Sequence, residues 1–425
     1  MDVAGRLPPP IRGAGPAGAG ERAMGGIGLD TFGRLVRRTW PLAGLLALGA
    51  CGGIESPVVA SRTVPVEAPA APSGDGTTLG TGSVKVALIL PLSGPGAAVG
   101  AGLRNAAILA LDESQSPDLK LLVKDDRGTP DGAREAAAAA LAEGAELVIG
   151  PLFAATVQSA AATARPAGKP VIAFSTDAGV AARGVYLLSF LPQPEVDRVI
   201  DETTAAGRRS FVALIPETTY GSVVEAQFRE AAARRGARVV AIERYPAGNP
   251  AAAVARIAPF VTGAAPQADA LFLPDTPEGL SAAGAALARA GFNPARVKPV
   301  GTAVWNDPRV FALPAFQGGW FAAADPAGFT GFGQRYRARF GTDPVRVATL
   351  AYDAVSLAAA LNRQYGSQRF ADTTLTNPSG FAGIDGTFRF RPEGTSERTL
   401  AVFEIRAGGA TIVRPASRAL GPSGT

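Results

Sequence analysis

VALILPLSGPGAAVGAGLRNAAILALDE, residues 86–113, decides the reading of this chain. Its first residues, with Val84 and Lys85 ahead of them, form an almost unbroken apolar run, the pattern of a strand buried on both faces. The run stops at a turn, 91–95, and the next segment, 101–113, places Leu103, Ala107 and Leu111 at helical spacing. A buried strand turning into a helix is half of a βαβ unit. The same alternation continues outward. Strands are predicted at 119–123, 147–149 and 171–174, with helices at 131–143 and 155–164 between them. It then repeats as strands 211–215, 238–242, 270–273 and 298–301 with helices 223–235, 251–261 and 279–290. The fold class is α/β, with doubly wound parallel sheets covered on both faces. The alanine run 136–142 suits close helix–sheet packing and good helix propensity, and needs no functional explanation.

Open parallel sheets bind ligands beyond the carboxyl ends of their strands. The positions that follow the predicted strands are Leu92 and Ser93, Asp125 and Asp126, 151–153 ending in Phe153, Ser175 to Asp177, 216–220 ending in Tyr220, Asp275, and 302–306 including Trp305. Asp125 and Asp126 have the form of a carboxylate pair, but with Gly128 and Pro130 following they read as loop-stabilising and capping residues. Tyr220 reads either as a ring stacked on a ligand or as a half-buried residue at a helix start. Trp305 and Trp320 read as ligand-facing groups or hinge packing. No G-x-G-x-x-G or P-loop pattern follows any of the strands, which argues against a nucleotide enzyme.

Composition narrows the chemistry further. At 425 residues and 47% apolar the chain can bury two or three compact units. It contains no histidine, which removes a triad base, a histidine zinc site and a neutral-pH switch. Lys85, Lys120, Lys124, Lys169 and Lys298 sit in no nucleophile motif, so neither catalysis nor a cofactor is expected. The net charge of +5 is spread singly, with no basic cluster interleaved with aromatics, and nucleic acid is not expected as a partner.

The N-terminal residues read as an address. Arg34, Arg37 and Arg38 precede the apolar stretch 41–50, which is followed by Cys51, the chain's one cysteine. The apolar stretch is shorter than the ~20 residues of a spanning helix. Residues 1–50 are therefore expected to be a removable signal, with translation starting at Met24. Leu48-Gly49-Ala50-Cys51 resembles the bacterial lipobox, which implies a lipid on Cys51. Gly52, in place of an aspartate, points to the outer membrane by the enteric sorting rule. Residues 51–83 then read as the lipidated cysteine and a disordered tether rich in Pro, Ala, Ser and Gly.

Taken in order, 86–113, VKDDRGTPDGA (123–133), VIGPLF (148–153), PVIAFS (170–175), TTYGSVVEAQFREAAARRGARVV (218–240) and YDAVSLA (352–358) resemble the type I periplasmic binding proteins, in particular the leucine/isoleucine/valine-binding group. The resemblance implies two Rossmann-like lobes joined by three crossings, near 189–194, 319–326 and 380–386. Lobe I would be 84–190 plus 327–379, and lobe II 191–326 plus 380–415. It implies a small polar solute, an amino acid or a relative, bound between the lobes for an ABC permease. The ligand residues would be Leu92, Ser93, Phe153, Thr156, Ser175, Thr176, Asp177, Tyr220, Asp275 and Trp305. Ser175-Thr176-Asp177 stands where the amino-acid binders hold the ligand carboxylate; Ser175 and Thr176 can donate to it, whereas Asp177 would put a negative charge near it and repel it. The segments 301–326, 335–355 and 380–405 also resemble the penicillin-binding protein activator lipoproteins, which implies an alternative partner, a peptidoglycan synthase reached from the outer membrane.

Overall fold

The computed structural model describes residues 77–421. The expected signal, Cys51 and most of the expected tether lie outside them. The end of the tether is corrected. Thr78–Leu79 (β1) pairs antiparallel with Leu122 and Leu121. An edge strand presents unpaired backbone groups, and these two residues cover part of that edge.

The first sheet continues with β2 (Val84–Leu90), β3 (Leu119–Asp125), β4 (Leu147–Ile149), β5 (Val171–Ala173) and β6 (Val185–Leu187). Its spatial order is β1-β3-β2-β4-β5-β6, parallel throughout except for β1. Within β2 the side chains divide by twos. Val86, Leu88 and Leu90 enter one core cluster, while Ala87 and Ile89 enter another on the opposite face. The unbroken apolar run is thus a strand with no solvent face. Helix α1 (Ala97–Ser114) covers the first face, and α2 (Pro130–Ala142) and α3 (Ala154–Ala164) the second, where their alanines bring helix and sheet close.

The second sheet follows α4 (Pro192–Ala205). It contains β7 (Ser210–Pro216), β8 (Arg238–Tyr245), β9 (Ala270–Phe272), β10 (Lys298–Gly301) and β11 (Trp320–Ala323), interleaved with α5 (Thr219–Arg234), α6 (Ala251–Val261), α7 (Pro277–Arg289) and the short α8 (Pro308–Phe311). The chain then makes α9 (Pro326–Phe340), α10 (Ala348–Tyr365) and α11 (Asp372–Leu375), all on the first lobe's side, then the hairpin β12 (Phe388–Phe390) and β13 (Ser396–Arg398). It ends with β14 (Ala401–Arg406) and β15 (Gly409–Arg414). The second sheet has the order β15-β14-β11-β10-β9-β7-β8, its last two strands antiparallel.

The chain passes between the lobes at 188–191, 324–325 and 399–400. The third passage differs from expectation, because the hairpin belongs to the first lobe rather than the second. Phe388 and Phe390 are buried in the core that contains β2 and α10, and Phe390 packs 5.3 Å from the ring of Tyr186. The backbone N–H of Leu187 donates to the Gly394 carbonyl at 2.8 Å. Leu400 enters the second lobe's core two residues after the hairpin ends.

Candidate functional site

Between the lobes lies a cleft of about 760 Å³. On the first lobe, β5 ends at Ala173 and the chain turns at Ser175. The buried Ser175 hydroxyl accepts from the Asp177 N–H at 3.1 Å. Asp177 in turn caps a single 3₁₀ turn, its Oδ1 accepting from the Gly179 N–H at 2.8 Å. Asp177 itself is exposed and lines the cleft.

The second lobe contributes the first turns of two helices. The Thr218 hydroxyl caps α5 by accepting from the Gly221 N–H at 2.9 Å. That cap fixes Tyr220, whose hydroxyl shares a 2.6 Å hydrogen bond with Thr302 Oγ1. Helix α4 starts at Pro192, a residue with no N–H to lose in a first turn. Its first turn carries Glu195, half-buried in the cleft wall, which accepts from the Ala303 N–H at 2.9 Å. Burial pushes the Glu195 carboxyl up to about 8, against the opposing pull of the Ala303 N–H. The Tyr220 hydroxyl is held well above its ordinary range, first by burial and then by the Glu195 charge.

Arg346 reaches the cleft from the loop before α10. Its guanidinium bonds Asp385 through both nitrogens, at 2.6 and 3.1 Å. It also lies 4.4 Å from the ring centre of Phe190 and 4.8 Å from that of Phe329. It is the one cation among the residues that line the cleft.

Of the residues singled out in the sequence, the structure brings Thr176, Asp177 and Tyr220 together in this cleft, while Ser175 sits just behind it. The others lie elsewhere. Leu92 N–H and the Ser93 N–H and hydroxyl all donate to Asp125, closing the loop between β2 and the first helix. Phe153 lies over Gly96 and Gly128, so that a Cβ at Gly96 would come within 2.7 Å of the ring. Thr156 is fully buried and donates back to the Phe153 carbonyl at 2.8 Å, which uses its hydroxyl within α3. Asp275 is buried, taking a 2.5 Å hydrogen bond from the Tyr245 hydroxyl and one from the Thr276 N–H at 2.7 Å. Trp305 is no ligand contact. It is fully buried in the second lobe's core, donates from Nε1 to the Leu273 carbonyl at 2.9 Å and packs on Phe316. Asp126 is also structural, accepting from the Gly128 N–H at 2.8 Å, with burial pushing its carboxyl up to about 6.

Glu195, Arg346 and Phe190 were not found from the sequence. The only local signal for Glu195 was an acidic residue three positions after a helix-starting proline, which reads as ordinary first-turn electrostatics. Arg346 and its partner Asp385 are 39 residues apart, and nothing in the local sequence links them.

Two mostly parallel sheets, three crossings and a cleft between them define a bilobed solute-binding architecture. The model of the family "Periplasmic binding protein" matches residues 83–410, and the chain belongs to that family, whose members bind ligands outside the cytoplasm rather than transform them. Solved structures agree on the fold. A putative branched-chain amino acid ABC transporter protein from Rhodospirillum rubrum is 22% identical, with a TM-score of 0.68 over 78% of this chain and 99% of its own. The branched-chain amino acid transporter substrate binding protein LivJ from Streptococcus pneumoniae, solved with isoleucine, is 20% identical, with a TM-score of 0.52 over 78% of this chain and 99% of that one. A solute binding protein from R. palustris, solved with benzoate, is 20% identical, with a TM-score of 0.53 over 80% and 98%. Among curated proteins, none matches this sequence.

Proposed function

We propose that this protein takes a small polar solute into the cleft between its lobes and presents it to an ABC permease, while a lipid on Cys51 holds it at the membrane. The observation that carries this reading is a cleft of about 760 Å³ with walls from both lobes, within the ~300–1,000 Å³ typical of small-ligand sites. A ligand touching both walls favours the closed state by the contacts it makes only there. The test is a thermal-shift screen of the protein against amino acids, amides, amines and carboxylates. Ligand at 100 times its Kd should add about 2.7 kcal/mol of stability, and silence across the panel would sink the reading. Replacing Cys51 by Ala should move the protein from the membrane to the soluble fraction.

A second reading is a lipoprotein of the outer membrane that regulates a peptidoglycan synthase through protein contacts. One observation favours it: the Thr156 hydroxyl, at one of the places where the amino-acid binders hold a carboxylate, donates here to the Phe153 carbonyl within the first lobe. Pull-down from detergent-solubilised envelopes that enriches no peptidoglycan synthase would count against it.

A further inference from the structure

The proposal of a solute in the cleft leaves its charge open, and the lining residues speak to that charge. Two carboxylates face the cleft from opposite lobes, Asp177 on the first and Glu195 on the second. Neither forms an ion pair among the described residues. Each has a single backbone N–H as its hydrogen-bond donor, from Gly179 and Ala303 respectively. The one cation of the lining, Arg346, is held by both oxygens of Asp385, a residue with no exposure, and is flanked by two aromatic rings. The uncompensated charge of the cleft is therefore negative. The rest of its wall is neutral, with Thr176, Thr219 and Asn306 as its polar side chains and Phe190, Val223 and Val304 among its apolar ones, and Tyr220 lies near Glu195.

We infer that the cleft takes an organic cation, an amine whose ammonium group sits between Asp177 and Glu195 and whose hydrocarbon part lies along the aromatic and aliphatic wall. This inference rests on the solute-binding reading and specifies it. An ammonium supplies N–H donors beyond the single backbone one that each carboxylate has, and the aromatic residues of the wall can add cation–π attraction. A carboxylate ligand would have to share Arg346, the one cation of the lining, with the buried Asp385 carboxylate that already holds it.

The groups that act on or near Glu195 are the Ala303 N–H beyond β10 and Tyr220 on α5, while Asp177 and Arg346 are the charged groups that line the same cleft from the first lobe. With its carboxyl pushed up to about 8 by burial, Glu195 holds a proton at pH 7 in the free protein. An arriving ammonium favours the ionised form, so binding releases that proton to solvent.

The experiment is a thermal-shift panel of three ligands with one skeleton, phenethylamine, phenylalanine and phenylacetate, extended by aliphatic amines, amino acids and carboxylates. Hits are then titrated calorimetrically at pH 7 in two buffers of different ionisation enthalpy. The expected result is binding by amines, weakened at least tenfold in Glu195→Gln and in Asp177→Asn, with release of a proton that Glu195→Gln abolishes and Asp177→Asn keeps. Circular dichroism on each variant separates loss of affinity from loss of fold. Hits confined to carboxylates or amino acids, or an amine that binds Glu195→Gln unchanged, overturn the charge assignment and leave solute binding standing. Silence from every class removes both.

Discussion

Replacing Glu195 by Gln should remove a pH dependence of stability that the free protein carries. In the folded chain burial pushes this carboxyl up to about 8, from an ordinary 4.5. Between those values the folded chain keeps a proton that the unfolded chain has lost. The unfolded state binds fewer protons there, so stability is greatest below about 4.5 and falls as pH rises through 8. At about 1.4 kcal/mol per pH unit, the whole interval sets an upper bound of about 5 kcal/mol. The side chain is partly exposed, and solvent at the cleft wall trims this to an expected loss of about 3–4 kcal/mol. Glutamine keeps an acceptor for the Ala303 N–H and does not ionise. The assay is a paired set of urea unfolding curves at pH 5, 7 and 9, followed by tryptophan fluorescence. The variant's stability relative to the wild type should rise by about 3–4 kcal/mol between pH 5 and pH 9. Asp353, pushed by burial up to about 7, slopes the same way in both proteins and cancels in the difference. Equal slopes in the two proteins, or a variant that loses ground as pH rises, would refute the reasoning.

Three further outcomes are expected. Trp305→Ala should cost about 3–5 kcal/mol in urea unfolding, as a large side chain lost from a core does, whereas the milder Trp305→Phe should leave ligand affinity unchanged in calorimetry. Phe390→Ala should cost about 3–5 kcal/mol by the same unfolding assay, since its ring anchors the β12–β13 hairpin to the first lobe. Arg398 and Asp353 are buried 3.9 Å apart, and Arg398 Nη1 and Nη2 have no hydrogen-bond partner among the described residues. Arg398→Met alone should destabilise more than Arg398→Met combined with Asp353→Asn, with a coupling of about 0.5–3 kcal/mol in a double-mutant cycle.

Strands that are apolar nearly throughout were legible. The predicted spans 84–90, 147–149 and 298–301 coincide with β2, β4 and β10, because a strand buried on both faces has little that is polar to blur its ends, here only Lys85 and Lys298. Helix α1 begins at Ala97 rather than 101, since Gly100 and Gly102 inside it lower helix propensity and interrupt the pattern. Helix α4 was missed for a different reason. PQPEVDRVIDETTA carries two prolines and four acidic residues, so its buried face, Val196, Val199, Ile200, Thr203 and Thr204, shows only once the packing is known. The hairpin at 388–398 reads locally as either lobe's property. Its allegiance depends on Phe388 and Phe390 meeting Tyr186 about 200 residues earlier, a contact without a local signature.

The site was less legible than the fold because its decisive contrast is between charges that are used and charges that are free. Asp125, Asp275 and Arg346 look as available in the sequence as Asp177 and Glu195 do. In the structure Asp125 is consumed by Leu92, Ser93 and Arg127, and Asp275 by Tyr245 and Thr276. Arg346 is committed further still. Phe190, in the first crossing, lies between it and Arg398, whose guanidinium is 5.5 Å from the same ring. Asp385 and Asp353 balance the two cations from within the protein. A ligand that drew Arg346 away would leave the Asp385 carboxylate buried and unpaired, a cost of about 3–5 kcal/mol before any gain from the new contact. The same move would loosen the stack that ties the first crossing to the third. Arg346 therefore belongs to the hinge, and the charge offered to a solute is that of Asp177 and Glu195.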